Sequence, residues 1–215
     1  MHSIPLVLAL PAGTSVRKFA EGCRNAALDF VNRVSAEPDK EGLVEWLSGP
    51  YRKHVVALAG SSGVPRVEIS NSGVAPEVIA GLLTKVRREV LVTFARARDP
   101  EDAVNFAFSA LSSGLVYRCQ DAERTQGWVP VSLPRMRLVD RVFSLVAADF
   151  LMSGDDYEHA LFTCTACGRV TFDAQAKSAG LCRDHTRRLL SGRDDVGGAY
   201  ASSDGWRAAP QRSTA

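Results

Sequence analysis

Four residues late in the chain have the types and spacing of a metal site. They are Cys164, Cys167, Cys182 and His185, in the pattern C-x2-C-x14-C-x2-H. Tetrahedral Zn²⁺ takes four thiolate or imidazole donors at ~2.0–2.3 Å. Two cysteines two residues apart can wrap a tight turn around one ion. Gly168, directly after Cys167, can supply the positive φ that such a knuckle needs. Cys182 and His185, three apart, share one face of a helical turn, and a helix N-terminus there favours thiolate over thiol. Four protein ligands leave no position for water, so Lewis-acid catalysis is disfavoured and the one zinc is expected to be structural. The competing chemistry is a dithiol redox pair at Cys164 and Cys167. That motif opens a helix in a βαβ context. Here the pair lies among β-like apolar residues with a glycine behind it, which favours metal. His159 is a substitute donor only if it reaches back from before the hairpin; an exposed helix end is its expected place.

The segment Phe162–Leu190 resembles a treble-clef zinc finger: a Cys-x-x-Cys-Gly knuckle, a β-hairpin, then a helix carrying the second ligand pair. The resemblance implies zinc held by Cys164, Cys167, Cys182 and His185, with a zinc ribbon as the alternative arrangement. It covers only about residues 162–190. Residues 1–160 resemble no family that their motifs reveal.

The remaining chemical signals are weaker. Gly60-Ser61-Ser62-Gly63 follows an apolar run, as a phosphate loop would, but leads through Val64-Pro65-Arg66 to another strand-like run. A hairpin turn is expected there. His54 stands beside Arg52 and Lys53 without a nucleophile motif, and is expected to be structural or exposed. Asp184-His185 would suit a His-metal nuclease only with further ligands, which four histidines do not assemble. No catalytic residue is assigned and the chain is expected not to be an enzyme. Cys23 and Cys119 read as small apolar side chains.

The elements that must position the metal ligands follow from periodicity. Pro5–Leu10 reads as a buried first strand, since its apolar run is short for a leader and follows no Lys or Arg. Thr14 or Ser15 caps a helix whose apolar stripe runs from Val16 to Val34. Glu41–Leu47 reads as a short helix stopped by Gly49-Pro50. His54–Ala59 and Arg66–Ser70 read as a hairpin. Pro76 starts a helix through Val86, and the β-branched content of Val90–Phe94 predicts a strand. Asp99-Pro100 opens another helix, followed by a hairpin of Leu115–Cys119 and Trp128–Leu133. Pro134 then starts a helix to Phe150, stopped by Gly154. Arg169–Phe172 is the return strand of the knuckle, and Ser178 caps a last helix over Leu181–Leu190. The expected class is α+β: a mixed, mostly antiparallel sheet with packed helices, its first part compatible with a split βαβ order, plus a small C-terminal zinc module. The expected domains are 1–160, the module at 161–190 and a disordered tail at 191–215.

The chain has 215 residues, 46% hydrophobic and 23% charged, with 26 Lys+Arg against 24 Asp+Glu. That excludes a disordered polyelectrolyte and a histone-like condenser, and no apolar run approaches the ~20 residues of a membrane span. Five cysteines, an odd number, do not read as a secreted disulfide framework, so the cytoplasm is the expected compartment. Residues 161–215 carry eight basic and five acidic side chains. Arg169, Arg183, Arg187 and Arg188 are the candidates for phosphate contact. Other basic clusters lie at Lys85–Arg98 and Arg135–Arg141. The expected function is that of a zinc-binding regulatory protein contacting nucleic acid in transcription or another DNA-linked process. The alternative is a zinc-stabilised protein–protein adaptor.

Overall fold

The computed structural model describes residues 7–57, 75–133 and 136–191. The first strand, β1 (Leu8–Ala9), leads to α1 (Val16–Asp29). Ser15 caps α1 by accepting from the Lys18 amide. A second acceptor comes from far along the chain: the Val16 amide donates to Asp121 Oδ2 at 3.1 Å. That bond, with those from Glu123 and Thr125, holds the Asp121 carboxyl below its ordinary range. The apolar stripe of α1 is buried as its spacing predicts, from Val16 through Cys23 to Ala27.

The helix does not end at Asp29. It widens into a π-helical turn, Phe30–Val34, closed by Ser35 N–H to Phe30 O at 2.9 Å. A second such turn, Leu47–Tyr51, follows α2 (Lys40–Trp46), and a short 3₁₀ turn runs on to His54. The predicted stop at Gly49-Pro50 is therefore overridden. A π turn aligns residues five apart, and this one stacks Tyr51 on Trp46 with ring centroids 5.3 Å apart. Trp46 in turn packs on Phe30 and donates from Nε1 to Ala26 O. His54 is structural, with Nδ1 2.8 Å from Pro50 O and its ring against Phe19.

β2 (Val56–Ala57) pairs parallel with β4 (Gln126–Ser132). The Gly60–Gly63 turn and the Arg66–Ser70 run lie outside the described residues. α3 (Pro76–Arg98) is one unbroken helix, so Val90–Phe94 is not a strand. Ile79, Leu83, Val86, Val90, Phe94 and Ala97 continue one buried stripe along α3. Packing against α5 (Leu138–Ala160) outweighs the local β preference of the β-branched residues. Asp99 caps α4 (Pro100–Ser112) through the Glu101 amide. β3 (Val116–Gln120) and β4 form the predicted antiparallel hairpin.

α5 begins at Leu138, and Pro134 lies outside the described residues. Gly154 does not stop it: the helix kinks at Ser153 (φ −139°, ψ 29°) and continues, because Tyr157 and Ala160 still face the core. Ser144 to Asp149 are fully buried, as expected of a helix surrounded by others. It is packed by α1, α3 and α4 and lies against β4.

The class is α+β with a small mixed sheet of order β1-β3-β4-β2. The expected mixed sheet is present: the central β3–β4 ladder is antiparallel, and the short ladders of β1 with β3 and β2 with β4 are parallel. Each edge strand reaches the central hairpin after a long helical excursion, the connection that parallel pairing requires. The described strands do not form the split βαβ order. No helix among the described residues is long and apolar enough to cross a membrane. The expected tail begins at the edge of the described residues.

Candidate metal centre

β5 (Leu161–Thr163) and β6 (Val170–Phe172) pair antiparallel, Thr163 opposite Val170. The residues between them form the knuckle. Cys164 donates its N–H to Arg169 O at 2.9 Å, and Gly168 N–H returns to Cys164 O at 2.8 Å. Gly168 has φ +68°, in the left-handed region where a side chain would be strained. α6 (Ala174–Lys177) is one turn long and capped by Asp173, which accepts from the Gln175 and Ala176 amides. Gly180, at φ +66°, turns the chain back, and its carbonyl accepts from both the amide and the hydroxyl of Thr165. The last helix, α7 (Arg183–Leu190), starts later than predicted. Cys182 is its N-cap residue and His185 lies in its first turn; Ser178 does not cap it.

This folding brings the four sequence-predicted ligands together. Their donor atoms lie within 4.8 Å of one another. Cys164 Sγ is 3.7 Å and Cys182 Sγ 3.1 Å from His185 Nδ1, and Cys167 Sγ is 4.0 Å from Cys182 Sγ. Metal–ligand bonds of ~2.0–2.3 Å give a tetrahedron with edges of roughly 3.4–3.8 Å. The observed separations bracket that range, so the residues fit a single ion held by three thiolates and one imidazole. All five cysteines are free of disulfides. Cys164 and Cys182 are buried and Cys167 half-buried. His159 is exposed on α5 and outside the cluster.

The backbone prepares the Cys164 sulfur for charge. Burial pushes the Cys164 thiol up, but the amides of Cys182, Cys167 and Ala166 aimed at it outweigh this and bring it below its ordinary value. The Cys182 amide lies 3.3 Å from Cys164 Sγ. Burial pushes Cys167 up to about 11, against the amide of Arg169. A cation at the centre of the cluster would favour thiolate at both.

The hairpin is built onto the main core. Leu161 and Val170 belong to the same buried apolar cluster as α1 and α5. Asn32, in the first π turn, grips β6 with both ends of its amide: Nδ2 donates to Val170 O at 2.7 Å and Oδ1 accepts from Val170 N–H at 2.9 Å. The guanidinium of Arg24 lies 3.9 Å over the Phe172 ring, and Tyr157 meets that ring edge-on. Sequence reasoning missed Asn32, Arg24, Asp149 and Tyr157. Asp149 did leave a signal, an acid inside the otherwise apolar run Val146-Ala147-Ala148-Asp149-Phe150, which demands a buried partner. Asp173 left one too, as a capping type directly before Ala174-Gln175-Ala176-Lys177.

The four candidate arginines are all exposed, but their surroundings differ. Arg183 is paired with Asp173, whose other oxygen is spent on the α6 cap. Arg169, Arg187 and Arg188 make no ion pair among the described residues. Arg169 and Arg183 border an open cleft of about 780 Å³ between the knuckle and the end of α1, where Asp29, Arg33, Asp173 and Asp184 also lie. The other basic clusters are partly spent on structure. Arg141 turns inward to Tyr51 Oη and Ser132 Oγ, Arg87 reaches Val31 O, and Arg137 pairs with Asp140. Comparison with protein-family models, with curated proteins and with solved structures returned no match.

Proposed function

We propose that the chain is a zinc-binding regulatory protein whose C-terminal module, of treble-clef kind, contacts nucleic acid in transcription or another DNA-linked process. Zinc is the metal that best suits three thiolates and one imidazole in a tetrahedron. With every position filled by protein, its role is structural. The observation that carries the nucleic-acid reading is the placement of Arg187 and Arg188. They are exposed and without an ion pair among the described residues, on the helix whose first turn supplies the last ligand. A metal clamp on one end of α7 would fix the orientation of the helix face that carries them. Arg169, on the knuckle, adds a third such charge.

So few cations neutralise few phosphates. Binding should therefore weaken with salt along a shallow log–log line, with a slope of about −2 to −4. Fluorescence anisotropy on labelled duplex and single-stranded DNA tests this. Replacing Arg187 and Arg188 by Ala should lower affinity on every sequence and flatten the slope by about two, with zinc content unchanged. No binding at low salt would contradict the reading. A second reading, a protein–protein adaptor, is favoured by Leu189 and Leu190, which are 56% and 83% exposed at the end of the same helix.

A further inference from the structure

The two ligand pairs of the metal centre are anchored unequally. Cys164 and Cys167 belong to the β5–β6 hairpin, which is built into the core. Leu161, Phe162 and Val170 are buried, Asn32 bonds both backbone polar groups of Val170, and the Asp173 amide donates to Ala160 O at 2.8 Å. The chain stays fastened to the knuckle as far as Gly180, whose carbonyl accepts from Thr165. Cys182 and His185 lie past that point, at the start of α7. None of the eight residues of α7 is buried, and its two leucines are exposed. Helices in proteins are stabilised mainly by packing an apolar face, and an isolated helix shorter than ~12–15 residues is marginal in water. α7 has neither the face nor the length. Three residues tie it to the module: Cys182, whose amide meets Cys164 Sγ, Arg183, which pairs with Asp173, and His185 in the cluster. The Arg183 side chain is 73% exposed, so its ion pair contributes little.

We propose that the centre assembles in two halves, which makes α7 an order–disorder switch set by free zinc. The dithiol of the knuckle is preformed on the core. α7 docks and becomes helical only when Cys182 and His185 share the ion with Cys164 and Cys167. This rests on the zinc-binding reading above and adds its regulation: metal supply decides whether Arg187 and Arg188 are presented on an ordered helix. A ligand shifts a conformational equilibrium only by its differential affinity for the two states. Four protein ligands in the docked state against two in the undocked state supply that difference. Zinc at 100 times its dissociation constant for the docked state favours that state by about 100-fold.

Hydrogen–deuterium exchange of the full chain, read by mass spectrometry, is the test. It compares zinc-loaded protein with protein stripped by a chelator under reducing conditions, with zinc content measured in both. Residues 183–191 should exchange at least ~30-fold faster in the stripped protein, while residues 161–172 change by less than about threefold. Cys182→Ser combined with His185→Ala keeps the knuckle dithiol. At saturating zinc this variant should exchange over 183–191 like the stripped protein, with 161–172 as protected as in wild type. Equal protection of 183–191 with and without zinc would overturn the switch, as would full protection there in the double variant. Loss of protection over 161–172 together with 183–191 would overturn the preformed half. A chain that takes up no zinc in the loaded sample would fail the zinc-binding reading itself, and the switch with it.

Discussion

Asp149 and Arg24 meet across the contact of α1 and α5, 125 residues apart in the chain, at 3.3 Å. The carboxylate is fully buried, its partner nearly so, and Tyr157 donates its hydroxyl to Asp149 at 2.8 Å. A buried pair contributes little net stability while both partners are present, but losing one leaves a stranded charge. Burial raises the Asp149 carboxyl to about 6 in spite of Arg24 and Tyr157, against an ordinary value of 3.8. The folded state thus holds the proton more tightly than the unfolded chain. Stability contributed by this group is greatest below pH ~4, falls as pH rises through the window from ~4 to ~6, and is level above it, by at most ~3 kcal/mol. Denaturant titrations across that window should show Asp149→Asn lacking this part of the slope. Parallel slopes for the two proteins would show that Asp149 titrates as an exposed acid. The metal ligands and this network contrast in legibility. Cys164, Cys167, Cys182 and His185 announce themselves through local spacing. Arg24 and Asp149 can be paired only once two helices are docked.

Among the elements, the first π turn matters most to the metal hairpin. Asn32 makes two hydrogen bonds to Val170, a residue 138 positions away, and the hairpin has only three residues per strand. Asn32→Ala leaves a half-buried amide and carbonyl without partners, at a cost of ~1–3 kcal/mol. In a chain of this size that corresponds to a fall of roughly 3–10 °C in melting temperature, with zinc retained. A melting temperature equal to that of wild type would show that Leu161, Val170 and Phe172 hold the hairpin unaided. Helix α1, the β3–β4 hairpin and α4 were legible because each carries its own period and cap. Val90–Phe94 misled because β-branched residues describe a local preference, while the α3 stripe answers to α5. The two π turns left no local signal, since the Trp46–Tyr51 stack that rewards one of them is a product of packing.

At the scale of the whole molecule, one apolar cluster runs from Val16 through α5 to Val170, and the Cys₃His cluster sits at its C-terminal margin. The edge strands show what sequence cannot supply alone: among the described residues β1 and β2 each place two residues in the sheet, and their parallel partners are set by where the helices lie. The central claim is that a single zinc ion closes the C-terminal module. Zinc-edge X-ray absorption on purified protein, at known metal stoichiometry, tests it most directly. The expected result is one zinc per chain with three sulfur ligands at ~2.3 Å and one nitrogen at ~2.0–2.1 Å. A protein that carries no zinc, or zinc surrounded by oxygen donors with the sulfurs absent from its shell, would contradict the account.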